Sequence, residues 1–154
     1  MIYFNDMVMK KFKEFQFAWW LVIAFIVTLL LVTTPFKIQG DSLNRLLVVS
    51  IVFITIAILF YGLKTEIDDH KIRLSFGIGL IRKTIRLDKI KTVTEVRNNW
   101  IYGWGVRFIP NGMLYNISGL KAVELTFYDS GRIIRIGTSD TKLLKNEIEK
   151  YITQ

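Results

Sequence analysis

The sequence contains no cysteine, one histidine, two prolines and ten glycines in 154 residues. Without cysteine there is no disulfide framework, no thiol nucleophile and no CxxC metal site. A single histidine rules out the multi-histidine metal arrangements. Glycine and proline are too sparse for a collagen-like or low-complexity chain. Acidic residues are also short: 13 against 21 lysines and arginines, a formal charge of +8. That balance favours anionic surfaces such as phospholipid headgroups or nucleic acid. Apolar residues, by contrast, are abundant at 51%, and the mean hydropathy is +0.35, which excludes a disordered chain.

The apolar residues are concentrated. The stretches 17–34 (FAWWLVIAFIVTLLLVTT) and 46–63 (LLVVSIVFITIAILFYGL) carry no charge. As helices rising about 1.5 Å per residue, each reaches roughly 27 Å, near the hydrocarbon thickness of a bilayer. The reading is therefore two membrane spans forming a helical hairpin over 17–63. The alternative of two buried core helices needs more protein than remains to wrap them. A cleaved signal peptide disagrees with the Thr33-Thr34-Pro35-Phe36-Lys37 ending, which lacks a small-x-small site. Trp19, Trp20, Phe36 and Tyr61 fall near the span ends, where amphipathic rings favour an interface. Lys10, Lys11 and Lys13 precede the first span, and Lys64, Lys71, Arg73, Arg82 and Lys83 follow the second. The connection holds only Lys37 and Arg45. This asymmetry predicts a multi-pass plasma-membrane protein with both termini cytoplasmic. Residues 1–16 mix apolar and cationic side chains, fitting either a short interfacial helix or a frayed terminus.

From Lys64 the pattern changes to alternation. Ile72, Leu74 and Phe76 alternate with Lys71, Arg73 and Ser75, the period of a half-buried strand. Extended segments are predicted over 80–87, 91–97, 100–108, 122–128 and 132–138, punctuated by Gly77-Ile78-Gly79, Pro110-Asn111-Gly112 and Asp129-Ser130-Gly131. Asp140 as N-cap, with Leu144, Ile148, Tyr151 and Ile152 at helical spacing, predicts a closing helix. The expected fold class is thus an α+β membrane protein. A transmembrane helical hairpin precedes an antiparallel β-barrel of about seven strands (64–154), closed by a C-terminal α-helix.

Three stretches carry the clearest resemblance. The run Asn99-Trp100-Ile101-Tyr102-Gly103-Trp104-Gly105-Val106-Arg107, with Ser118-Gly119-Leu120-Lys121-Ala122-Val123-Glu124 and Arg135-Ile136-Gly137-Thr138-Ser139-Asp140, resembles small bacterial membrane proteins with a C-terminal pleckstrin-homology (PH)-like domain. The resemblance implies the barrel-plus-helix fold and the inner membrane. It imports no activity, because such barrels bind lipids, peptides or proteins on different faces. The basic pattern around the first hairpin of inositide-binding members is absent; only Lys71, Arg73, Arg82 and Lys83 come near it.

Catalytic chemistry is thin. His70 sits in a polar turn with Asp68 and Asp69, and adjacent carboxylates on an extended chain point oppositely. A hydrolase would need a pocket lined by His70 with one of them. Ser118 and Ser139 lack a nucleophile elbow, and the Gly-x-Gly pieces lack the third glycine and helix of a phosphate loop. We therefore expect no enzyme, no cofactor and no metal. Nucleic acid is not expected as a partner, since no RNA- or DNA-binding signature is present. Candidate contacts for a protein partner or anionic lipid are Trp100, Tyr102, Trp104 and Arg107 in the aromatic run, and Lys71, Arg73, Arg82 and Lys83 around the first hairpin. The rings of the run either form an exposed ledge or fill the small barrel. The expected function is a membrane-anchored, non-enzymatic interaction module at the cytoplasmic face. Its alternative is an accessory or regulatory subunit of a membrane transport or envelope complex.

Overall fold

The computed structural model describes residues 12–33, 42–68, 70–129 and 131–152. Expectations placed on residues 1–11, on the connection 34–41 and on Asp69 and Ser130 lie outside the described residues.

Strand β1 (Phe12–Phe17) leads directly into helix α1 (Trp19–Thr33), and helix α2 (Ser42–Phe60) leads directly into β2 (Gly62–Asp68). Strands β3 (Lys71–Phe76) and β4 (Ile81–Arg86) complete a four-stranded antiparallel sheet in the order β1-β2-β3-β4. A second sheet holds β5 (Ile90–Arg97), β6 (Gly105–Ile109), β7 (Gly112–Asn116), β8 (Lys121–Phe127) and β9 (Ile133–Gly137). Its order is β5-β8-β9-β7-β6, antiparallel except for the parallel β7–β9 pair. Helix α3 (Thr141–Ile152) follows and packs across β5 and β8.

Alternation places the core. Leu63, Ile67, Ile72, Leu74, Phe76 and Ile85 of the first sheet face Val93, Val123, Leu125 and Ile136 of the second, all buried in one cluster. Leu144 and Ile148 of α3, both fully buried, seal it. The Asp140 carboxylate caps α3 by accepting from the Leu143 N–H at 3.0 Å, at the position its sequence suggests.

Three expectations are corrected. Among the described residues no helix is long and apolar enough to cross a membrane. The physical reason is that both apolar stretches run on into strands. Phe17 belongs to β1, and Gly62 and Leu63 belong to β2. Helix α1 keeps 15 residues, about 22 Å, and the apolar part of α2, from Leu46 to Phe60, is equally short against a hydrocarbon core of roughly 30 Å. The two spans 17–34 and 46–63, the multi-pass plasma- or inner-membrane location with its assigned topology, and the membrane as an integral partner all fall with this. Second, the strands form two sheets of four and five, not one closed barrel of about seven. Third, of the residues 1–16 read as interfacial helix or frayed terminus, 12–16 form with Phe17 an edge strand paired with β2 from Phe12↔Ile67 to Phe17↔Gly62.

The helical pair is joined to the body at its base. The Ala18 N–H donates to the Tyr61 carbonyl at 2.9 Å. Trp20 donates from Nε1 to the Ile117 carbonyl at 2.8 Å, and its ring stacks on Trp104 with centroids 5.4 Å apart. Further along, Phe25 meets Phe53 between the helices, while Ile23, Ile26, Val48 and Ile51 remain exposed.

Candidate functional site

The outer face of the four-stranded sheet is built by the same alternation that buries its inner one. With Leu63, Thr65 and Ile67 inward, Lys64, Glu66 and Asp68 of β2 point out. On β3 the outward set is Lys71, Arg73 and Ser75, and on β4 it is Arg82, Thr84 and Arg86. The register aligns these into cross-strand rows: Lys64–Ser75–Arg82, then Glu66–Arg73–Thr84, then Asp68–Lys71–Arg86. Strand β1 adds Phe15 beside Lys64 and Lys13 beside Glu66.

The two carboxylates are engaged from within the face. Glu66 lies 2.9 Å from Lys64 Nζ and 3.7 Å from Lys13 Nζ, and Asp68 lies 2.7 Å from Arg73. Arg86 is held by Asp88 at 2.6 Å. Among the described residues, neither Arg82 nor Lys71 of this face forms an ion pair, and Lys83, paired with Leu74, alternates off it. The face therefore carries uncompensated positive charge at both ends, with Arg82 at the end nearest the helices.

There it opens into a groove of about 460 Å³ lined by Tyr61, Lys64, Glu66, Arg73, Ser75, Arg82 and Lys83, among others. One wall is the β3–β4 turn, where Gly77 and Gly79 have φ of +50° and +87°, a region that favours glycine. The turn is fastened at two points: the Gly77 N–H donates to the Gly62 carbonyl at the start of β2 at 2.9 Å, and that of Ile78 to the Ile58 carbonyl of α2 at 3.4 Å. Arg82 Nε in turn donates to the Gly79 carbonyl, which folds the guanidinium over the turn.

Glu66 has its carboxyl held below the usual glutamate value, chiefly by the hydrogen bond from Lys64. Partial burial opposes this, and the charges of Lys64, Lys13 and Arg73 add to it. A carboxyl depressed in the folded state stabilises the fold above its unfolded value, and the contribution is lost as pH falls through the folded one. The stability difference between the native chain and Glu66→Gln is therefore expected to be small, present at neutral pH and diminishing as the solution is acidified below the ordinary glutamate range, as read by urea unfolding across that range.

The aromatic run departs from the straight strand expected over 100–108. Asn99 caps a 3-10 turn over Trp100–Tyr102, its Oδ1 accepting from the Ile101 N–H at 3.2 Å. Gly103, at φ +63°, ends the turn. Trp100, Tyr102 and Trp104 consequently do not share one strand face. Trp100 is 78% exposed, Tyr102 is half-buried, and Trp104, 39% exposed, is covered on one side by Trp20. Of the two readings of these rings, filling the interior fails for Trp100. Arg107 is exposed and donates from Nε to the Trp104 carbonyl at 2.9 Å.

Arg73, Arg82 and Lys83 thus meet in one groove. Lys71 stands in the row farthest from it, and Arg107 belongs to the other sheet. Sequence reasoning missed Lys64 and Ser75 as partners of this group. Their place follows once β2 is recognised as pairing with β3, a signal hidden because β2 begins inside an apolar stretch. His70 is exposed in the β2–β3 turn, where its backbone N–H donates to Asp68 Oδ1 at 3.4 Å, and it does not line the groove. No group of three or more potential metal ligands occurs among the described residues. No family model matches the chain, and neither a curated protein nor a solved structure proves similar to it.

Proposed function

We propose that the protein is a non-enzymatic binding module whose basic sheet face engages anionic phospholipid headgroups. One observation carries this reading: Lys64, Arg73 and Arg82 line one groove together with Tyr61 and Ile78 at the base of the helical pair. Tyr61 is partly exposed there, and Ile78 and Leu80 of the β3–β4 turn are largely exposed. Cations near an anionic leaflet gain roughly 1 kcal/mol each, and amphipathic rings favour the same depth. The Asn99–Arg107 run and the terminal helix support an extension of the proposal, kinship with PH-like domains.

The test is co-sedimentation of the full chain with vesicles. Vesicles containing phosphatidylglycerol are expected to retain it and phosphatidylcholine vesicles to retain much less, with binding falling as salt rises. Arg82→Gln combined with Lys64→Gln should weaken retention by roughly thirtyfold, the effect of two contacts at about 1 kcal/mol each. Equal retention by both vesicle types, unaffected by salt, would defeat the proposal. The exposed apolar residues of α1 and α2 favour a second reading, an accessory subunit packed on a partner. Recovery of a stoichiometric complex with one defined protein would support it.

A further inference from the structure

We infer that the row Lys64–Ser75–Arg82 is a discrete subsite for a phosphate monoester, more selective than a diffuse basic surface. The inference rests on the headgroup reading for its lipid source, but the geometry stands by itself. The three residues occupy directly paired positions on adjacent strands. At about 4.8 Å per strand, the backbones of Lys64 and Arg82 flank Ser75 roughly 10 Å apart. The short serine leaves the floor of the groove open, and two long cationic side chains rise on either side of it.

Arg82 is pre-positioned. Its Nε is occupied by the Gly79 carbonyl, so the terminal guanidinium nitrogens are the donors left for a ligand. A Cβ at Gly79 would lie 3.2 Å from one of them, so this packing depends on glycine. Lys64 gives its ammonium to Glu66, which also lines the groove. When a dianion draws it away, Glu66 keeps Lys13 as a partner, and no carboxylate is stranded. Arg73 is turned toward Asp68 and lines the groove without facing an unpaired charge. An ammonium, a guanidinium and a hydroxyl around one opening match the three terminal oxygens of a monoester, which carries close to two negative charges at neutral pH. A phosphodiester offers one charge and two free oxygens.

The source of the monoester is either a lipid headgroup or a free phosphate, and one experiment separates them. The full chain is titrated with vesicles containing phosphatidic acid or phosphatidylglycerol at matched surface charge, and separately with inorganic phosphate while Ser75 and Arg82 are followed by NMR. Phosphatidic acid is expected to bind roughly fivefold better. Arg82→Gln should abolish that preference, whereas Arg86→Gln, an equal charge change on the same face outside the groove, should preserve it. Loss of preference in both variants, or none in the native chain, overturns the subsite and leaves the headgroup reading standing. Saturable phosphate shifts, lost in Arg82→Gln, without vesicle binding support the subsite with free phosphate as its ligand and overturn the headgroup reading. Absence of both kinds of binding overturns both.

Discussion

Replacing Gly77 with alanine is expected to destabilise the chain by about 3 kcal/mol or more, through a strained backbone and a direct clash. At this position φ is +50°, which an L side chain adopts at a cost. The added Cβ would stand 2.1 Å from the Ile58 carbonyl oxygen and 2.6 Å from that of Leu59. Both belong to the last turn of α2, so neither can retreat without disturbing the helix. The turn must therefore lift from α2, breaking the hydrogen bond from Ile78 to Ile58 and opening the groove wall. Urea unfolding of the full chain checks the magnitude. A loss below 1 kcal/mol would show that the turn is not fastened there. Gly79→Ala gives a useful contrast: its strain is also local, but its Cβ meets the flexible end of Arg82, so ligand contacts should suffer more than stability.

Trp20→Ala is expected to cost about 3 kcal/mol, within the range for truncating a large aromatic. Three losses combine: the stack on Trp104, the hydrogen bond to the Ile117 carbonyl, and the packing of a half-buried ring. Trp20→Phe separates them. Phenylalanine keeps a ring against Trp104 but leaves the Ile117 carbonyl without its donor, so about 1 kcal/mol should be lost. A double-mutant cycle with Trp104→Ala measures the stack itself, with an expected coupling of about 1 kcal/mol. Additive single effects would mean that the two rings are neighbours without interaction.

Much of the second half of the chain was legible because one face of each strand is apolar and the other is not. The alternation in Lys71–Phe76 marks β3, and the Leu144 and Ile148 spacing marks α3. Strand β1 was not legible, because after Phe12, which packs against the core, its alternation is inverted. In Phe12–Phe17 the residue most deeply buried is Gln16, which donates to the Gly137 carbonyl at 2.7 Å. Glu14 on the same side accepts from Thr138 Oγ1 and from the Ser139 N–H, each at 2.8 Å. Phe15 and Phe17 face outward in exchange. Polar side chains with long-range partners thus occupy positions that hydrophobic periodicity assigns to apolar ones, and no local signal announces those partners.

The helices were overextended for a related reason. Hydropathy does not register where a helix hands over to a strand, and Phe17, Gly62 and Leu63 are as apolar as their helical neighbours. In the aromatic run, Asn99 and Gly103 are the local marks of a turn, but three rings at alternate positions outweigh them in any reading by period. The groove was half legible. Arg73, Arg82 and Lys83 lie around a hairpin visible in the sequence, whereas Lys64 joins them only through the pairing of β2 with β3.

Because β1 and β2 are bonded neighbours that end side by side, at Phe17 and Gly62, the chain departs into α1 and returns from α2 through one narrow neck. The neck is a clasp: tilting either helix alone strains the first rungs of that ladder and the Ala18–Tyr61 bond. The β3–β4 turn is tied to the last turn of α2 through Ile58, so one wall of the cationic groove is braced by the helical pair.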